Sequence, residues 1–156
     1  MKILLFNMGP TQETYLKEGM ALYEKRIRRY IPFETVYLNA SKTGKNQPDV
    51  QRENEGKVLL TALEQVDLPI LLDERGKGMS SPYFAKYLQH CMNKGKKTIG
   101  FVIGGSYGFS NQVYQEVPEM ISLSGMTFPH QLIRLVFLEQ LYRAFTIIKG
   151  ESYHHE

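Results

Sequence analysis

The chain has 156 residues, of which 42% are hydrophobic and 22% charged, with a formal net charge of +3. That is enough for one domain with a substantial core, and the composition excludes long disorder. The single cysteine, Cys91, excludes a disulfide framework and fits a reducing compartment, and no run of 18 apolar residues offers a membrane span.

The chain opens on MKILLFNMGP. Its apolar run is too short for a signal peptide and lacks a small-residue cleavage site, so a cytoplasmic protein is expected. The run reads as a first strand, Lys2–Asn7, stopped by Gly9-Pro10. A helix is expected from Thr11 to Tyr30, because Leu16, Met20, Tyr23, Ile27 and Ile31 recur at spacings of three and four. Lys25, Arg26, Arg28 and Arg29 lie off that stripe, and Pro32 ends the helix. A strand at Phe33–Leu38 follows, then the polar loop ASKTGKNQ with Lys42 and Lys45. The second helix starts near Pro48-Asp49, a favourable N-terminal pair, and buries Leu59, Ala62, Leu63 and Val66.

Strands are expected at Pro69–Asp73, Thr98–Ile103 and Met120–Leu123. Between the first two lies a helical stretch, YFAKYLQHCMNK, where Cys91 reads as a small buried residue. The adjacent His90 makes no ligand spacing with it, so no metal site is expected. The last helix is the longest. Pro129 suits its first turn and Thr127 its cap. Ile133, Phe137, Leu141, Phe145 and Ile148 form one apolar stripe, widened by Leu132 and Val136. Glu139 and Arg143, four apart, favour an ion pair. A helix this apolar is expected to pack on the sheet on one side and on a partner subunit on another.

Short, almost wholly apolar strands alternating with helices point to a parallel α/β sheet covered on both faces. In such sheets ligands sit at the carboxyl ends of the strands. Three loops occupy that place. LLDERGKGMSSPYF follows the third strand, GGSYGF (Gly104 to Phe109) the fourth, and SLSGMTFPHQ (Ser122 to Gln131) the fifth. Each is either an ordinary turn into a helix or a backbone-rich wall for a flat heterocycle. No G-x-x-x-x-G-K-[ST] loop and no G-x-G-x-x-G fingerprint is present. Kinases, P-loop enzymes, Rossmann dehydrogenases and Rossmann methyltransferases are therefore disfavoured. The chain closes on GESYHHE, where a frayed tail is the default.

LDERGK, FVIGGSYGF, SLSGMTFPHQLIRLVFLEQLYRAFTI and the ending YHHE together resemble the ribosomal RNA large subunit methyltransferase H family of the SPOUT superfamily. The resemblance spans residues 1–156 as one domain and is strongest from Leu71 onward. It implies a parallel α/β fold whose C-terminal part, about residues 71–156, forms a deep trefoil knot, a topology that general rules of chain connection would not propose. It also implies a homodimer with the site between subunits. The implied reaction is methyl transfer from S-adenosylmethionine to N3 of a pseudouridine in 23S ribosomal RNA of the assembled 70S ribosome. By motif position, Leu72, Gly104, Leu123, Ser124, Gly125, Met126, Thr127 and Phe128 are implied to contact the cofactor. Relatives end in Tyr-His-Arg-Glu or a similar form with a basic third residue. Here His155 takes that place, and an imidazole is only partly charged near neutrality.

Methyl transfer to a ring nitrogen needs in-line alignment and loss of the N–H proton, so positioning dominates. His130, and His154 or His155 in the tail, are candidates for the base. Tyr153 is placed to stack on or hydrogen-bond to the substrate base. Arg143 is placed to orient the substrate or stabilise developing negative charge, unless it only pairs with Glu139. Lys25, Arg26, Arg28, Arg29, Lys42 and Lys45 are candidate phosphate contacts, against the plainer alternative of a solvated face. Competing functions are a non-catalytic ribosome-binding factor on the same fold, and a related enzyme acting on transfer RNA.

Overall fold

A computed structural model of the chain describes residues 1–41 and 47–155; Lys42, Lys45 and most of the polar loop around them lie outside the described residues. Strands and helices alternate as β1 (Lys2–Met8), α1 (Thr14–Ile27), β2 (Phe33–Leu38), α2 (Pro48–Leu63), β3 (Leu68–Gly78), α3 (Ser81–Asn93), β4 (Thr98–Ile103), α4 (Asn111–Glu116), β5 (Met120–Ser122) and α5 (Leu132–Ile148). The five strands form one parallel sheet in the order β2-β1-β4-β3-β5.

Side chains alternate across each strand, so consecutive apolar residues fill two cores. Ile3, Leu5, Ile70, Ile99, Phe101 and Ile103 face one way and meet Met20 and Ile27 of α1, Phe84 and Leu88 of α3, and Phe137 and Leu141 of α5. Phe6, Leu71 and Val102 face the other way and meet Leu59 and Leu63 of α2, Val113 of α4 and Val117 just beyond it. The apolar runs in the strands are thus the signature of burial on both faces. Phe101 and Phe137 stand 4.8 Å apart at the centre of the first core.

Local chemistry sets the helix ends. The Ser80 hydroxyl accepts from the Tyr83 amide at the start of α3, and the Ser110 hydroxyl accepts from the Val113 amide at the start of α4. Two expected boundaries move inward. α1 covers Thr14–Ile27 rather than Thr11 to Tyr30, because the Thr11 hydroxyl is engaged with Arg134 and Met20 instead of opening a helix. α5 starts at Leu132, not Pro129, and Gln131 rather than Thr127 is its cap residue, with no side-chain cap bond. The residues ahead of it instead form an extended loop and a turn, in which the Ile133 amide reaches back to the Pro129 carbonyl.

The third strand departs most from expectation. Instead of ending at Asp73 it runs on to Gly78, and its register against β5 breaks between Leu72 and Lys77. Ile121 pairs with Leu72 and again with Lys77. β5 is the edge strand beside β3, and β3 meets Ile121 at two points with an irregularity between them. Gly76 lies in that irregularity. A Cβ there would stand 2.5 Å from the Ile121 carbonyl carbon, so backbone lies directly on backbone.

Candidate active site

The carboxyl ends of β3, β4 and β5 open into one cleft of about 690 Å³, a volume that suits a cofactor-sized ligand. Its walls are the three loops singled out in the sequence. Leu72, Asp73, Glu74 and Arg75 come from β3, residues 103–109 follow β4, and residues 122–130 follow β5. Leu72, Gly104, Leu123, Ser124, Gly125, Met126, Thr127 and Phe128 all line it, as does His130. The fourth-strand loop closes on itself through a bridge between Gly105 and Gly108, with Gly108 at φ +75°, a conformation that favours glycine. In the last loop the Ser122 hydroxyl donates to the Ser124 carbonyl, and the Ser124 hydroxyl accepts from the Met126 amide. These bonds hold the loop open and leave Met126 79% exposed at its tip.

The charged wall is organised too. The Asp73 carboxylate accepts from the Tyr114 hydroxyl at 2.6 Å and from the Arg75 amide at 2.9 Å, while the Arg75 guanidinium lies 4.4 Å over the Tyr114 ring. Burial and that carboxylate push the Tyr114 hydroxyl up to about 12. His130, half-buried in the cleft wall, is pushed below its ordinary value, first by burial and then by the Arg134 cation. The imidazole is thereby held neutral and able to accept a proton. Behind the glycine loop, Glu55 presses on Gly105, and a Cβ there would meet its carboxylate at 2.7 Å. Burial pushes this carboxyl up, against the bond that it accepts from Gln51.

The other residues proposed for catalysis stand elsewhere. Beyond Gly150 the chain turns back along α5, with the Glu151 amide on the Thr146 carbonyl. The tail is thus folded down rather than frayed. Glu139 Oε1 accepts from Arg143 Nε at 3.0 Å, from Arg143 Nη2 at 2.5 Å and from the Tyr153 hydroxyl at 3.1 Å. Arg143 lies 4.8 Å over the Tyr153 ring and meets His154 Nδ1 at 3.1 Å. A guanidinium can only donate, so Nδ1 accepts and the His154 proton sits on Nε2. That Nε2 is buried and has no partner among the described residues. Tyr142, Tyr23 and Arg26 extend the cluster, with Arg26 5.4 Å from both rings. None of Arg143, Tyr153 and His154 lines the cleft. The eleven residues that separate Leu132 from Arg143 rise about 16 Å along α5, so the chain's own tail and its own cleft stand apart.

Two buried polar side chains, Arg134 and Asn7, and a half-buried one, Glu55, escaped the sequence reading. Arg134 falls on the same helical stripe as Phe137 and Leu141, and Glu55 on that of Leu59 and Leu63, so spacing carried the signal but residue type outweighed it. Asn7, at the end of an apolar strand, is also fully buried. Among the described residues no three His, Cys, Asp or Glu side chains gather as a metal set, and no helix is long and apolar enough to cross a membrane.

A family model described as predicted SPOUT methyltransferase matches residues 1–154. The chain belongs to the SPOUT methyltransferase family. It is 48% identical over 155 residues to the ribosomal RNA large subunit methyltransferase H of Cytophaga hutchinsonii, covering 99% of this chain and all of that one. It is 47% identical over 157 residues to the protein of the same name from Parabacteroides distasonis, covering both chains fully. Among solved structures the SPOUT fold recurs in a probable methylase family protein of Haemophilus influenzae, with a TM-score of 0.55 at 10% identity over 99% of this chain and 70% of that one. It recurs again in a probable methyltransferase of Bordetella pertussis, with a TM-score of 0.55 at 14% identity over 91% and 95%. Those two likenesses concern the fold alone.

Proposed function

We propose that this SPOUT methyltransferase transfers a methyl group from S-adenosylmethionine to N3 of a pseudouridine in 23S ribosomal RNA, on the assembled 70S ribosome in the cytoplasm. The observation that carries this is the convergence of three loops, with all eight residues expected to hold the cofactor, on one cleft of suitable size. The cleft fits the group chemically. Leu123, Met126 and Phe128 offer apolar cover for an adenine ring, glycine-rich backbone offers N–H and C=O groups, and Asp73 and Glu74 supply negative charge beside a cationic ligand. When bound, the cofactor supplies an electrophilic methyl group. The names of the full-length relatives support the ribosomal RNA substrate.

His130 is the preferred base, since its imidazole is neutral and stands in the cleft, whereas His154 Nδ1 is occupied by Arg143. Arg143, Tyr153 and His154 then act from the partner of a homodimer, whose tail reaches the cleft that its own chain cannot. The unpartnered His154 Nε2–H is the donor such a site would use, and Leu132 and Val136 offer half-buried apolar surface on α5 outside both cores. A trefoil knot in the C-terminal part of the single domain belongs to the same proposal; the irregular path of β3 between Leu72 and Lys77, both set against Ile121, is compatible with it.

The test is incubation with isotopically labelled cofactor and, separately, 70S ribosomes, free 23S RNA and transfer RNA. Methylation of 70S ribosomes alone is expected. Label entering transfer RNA instead would overturn the substrate, and absence of cofactor binding by calorimetry would favour a non-catalytic ribosome-binding factor. Tyr153→Phe and His154→Ala, measured separately in single turnover, are each expected to slow methylation, and an unchanged rate removes that residue from the site.

A further inference from the structure

The head of α5 holds a charge that no carboxylate among the described residues balances. Arg134 is wholly buried, at 0% exposed. Its Nη1 donates to the Thr11 hydroxyl at 3.0 Å and its Nη2 to the Met8 carbonyl at 2.8 Å, while its Nε is buried without a partner. Among the described residues its bonds go to neutral groups and no carboxylate pairs with it. Asn7, next to Met8 on β1, is also wholly buried, with both side-chain amide atoms unpartnered. Burying a guanidinium with no counter-charge is strongly unfavourable, and tying a loop to a helix does not require it. Gln131 already makes such a tie with neutral groups, accepting from the Gln12 amide and donating to the Pro10 carbonyl, both at 3.1 Å. A reason for the charge itself lies one turn away. His130 precedes Arg134 by four residues, in the turn that the Ile133 amide closes on the Pro129 carbonyl just ahead of α5; its imidazole lines the cleft, with Nε2 3.5 Å from Gln131 Nε2, while the guanidinium of Arg134 is buried.

We infer that Arg134 is a positioning residue for the methyl transfer: a permanent cation, locked behind the cleft wall, that joins the β1–α1 loop to the head of α5 and sets both the stance and the electrostatic surroundings of His130. The inference rests on His130 serving the reaction proposed above. The other charged side chains of the cleft are Arg52 from α2 and Asp73, Glu74 and Arg75 from β3. The tyrosine hydroxyls facing the same space are those of Tyr107 and Tyr114. Arg134 is the charge that acts on the imidazole from behind, and after burial it is what holds His130 below its ordinary value. A neutral side chain at 134 should let His130 protonate at higher pH, so the acid limb of the rate profile moves up.

The test is an NMR titration of the His130 ring in the full-length protein, assigned by loss of its signal in His130→Gln, for the wild type, Arg134→Lys and Arg134→Met. The wild-type midpoint is expected below that of free histidine, close to it in Arg134→Lys, and raised by roughly half a pH unit or more in Arg134→Met. The acid limb of single-turnover methylation should move with it. If Arg134→Met does not fold, the wild-type midpoint still decides, because a value at or above that of free histidine overturns the inference. A variant that melts at lower temperature yet titrates like the wild type makes Arg134 a mere tie and also overturns it. A raised midpoint without movement of the methylation limb sinks His130 as the base and leaves the electrostatic assignment standing.

Discussion

Replacing Glu139 with glutamine keeps the shape of the tail cluster and removes the carboxylate that anchors it. Oε1 of this carboxylate anchors both Arg143 and Tyr153, through contacts of 3.0, 2.5 and 3.1 Å. The Glu139 and Arg143 side chains are 21% and 24% exposed, between a surface pair and a buried one. Surface pairs contribute up to about 1 kcal/mol, and breaking a buried pair costs about 3–5 kcal/mol. A loss of about 1–2 kcal/mol is the reasoned value here. If Arg143 and Tyr153 act on the substrate base, that loss appears in the transition state as roughly a 5- to 30-fold slower single turnover. Cofactor affinity should stay within about twofold, because nothing in the cluster lines the cleft of the same chain. Two assays separate these effects: calorimetric titration with cofactor, and single-turnover methylation of 70S ribosomes. A large fall in cofactor affinity would refute the division between cleft and tail. So would an unchanged methylation rate in a folded variant.

Gly76→Ala should lower stability by about 1–3 kcal/mol, since its Cβ would overlap the Ile121 backbone, and the shift in denaturation midpoint measures it. Tyr30 and Tyr114 are both pushed up to about 12, chiefly by burial and then by bonds to Glu151 and Asp73. Their raised folded values mean the stability they contribute is complete below the unfolded value near 10 and lost as pH rises towards 12. Thermal melting should therefore fall across pH 10–12, with a smaller drop in Tyr114→Phe. In the basic run that closes α1, Arg28 is tied to Glu24 and the Phe33 carbonyl, and Arg26 is stacked on tyrosines, so among the described residues Lys25 and Arg29 are the cations of that run without such ties. Lys25→Gln with Arg29→Gln should reduce the slope of log ribosome affinity against log salt by roughly 2, and an unchanged slope makes them a solvated face.

The strands, the two-sided burial of the sheet and the three glycine-containing loops were legible because each has a local cause. Apolar runs demand cover on both faces, and loops at the carboxyl ends of parallel strands gather wherever the sheet brings those ends together. The late start of α5 was not legible, because Pro129 and Thr127 suit a helix entry while the cleft instead draws residues 122–131 into a loop. Nor was the continuation of β3 through Gly78, since Asp73 to Gly76 reads as a turn until Lys77 and Gly78 are seen to pair with β5. Arg134 and Asn7 are polar groups whose burial depends on packing between β1 and the head of α5, a contact more than 120 residues apart in the chain. Arg143, Tyr153 and His154 stand in one cluster, and their distance from His130, with which the sequence grouped them, follows from the length of α5 and the return of the tail along it. Sequence by itself determined which loops can cradle a ligand. Tertiary structure decided which charged groups stand behind that cradle and which must come to it from another chain, because both depend on contacts between segments far apart in the chain.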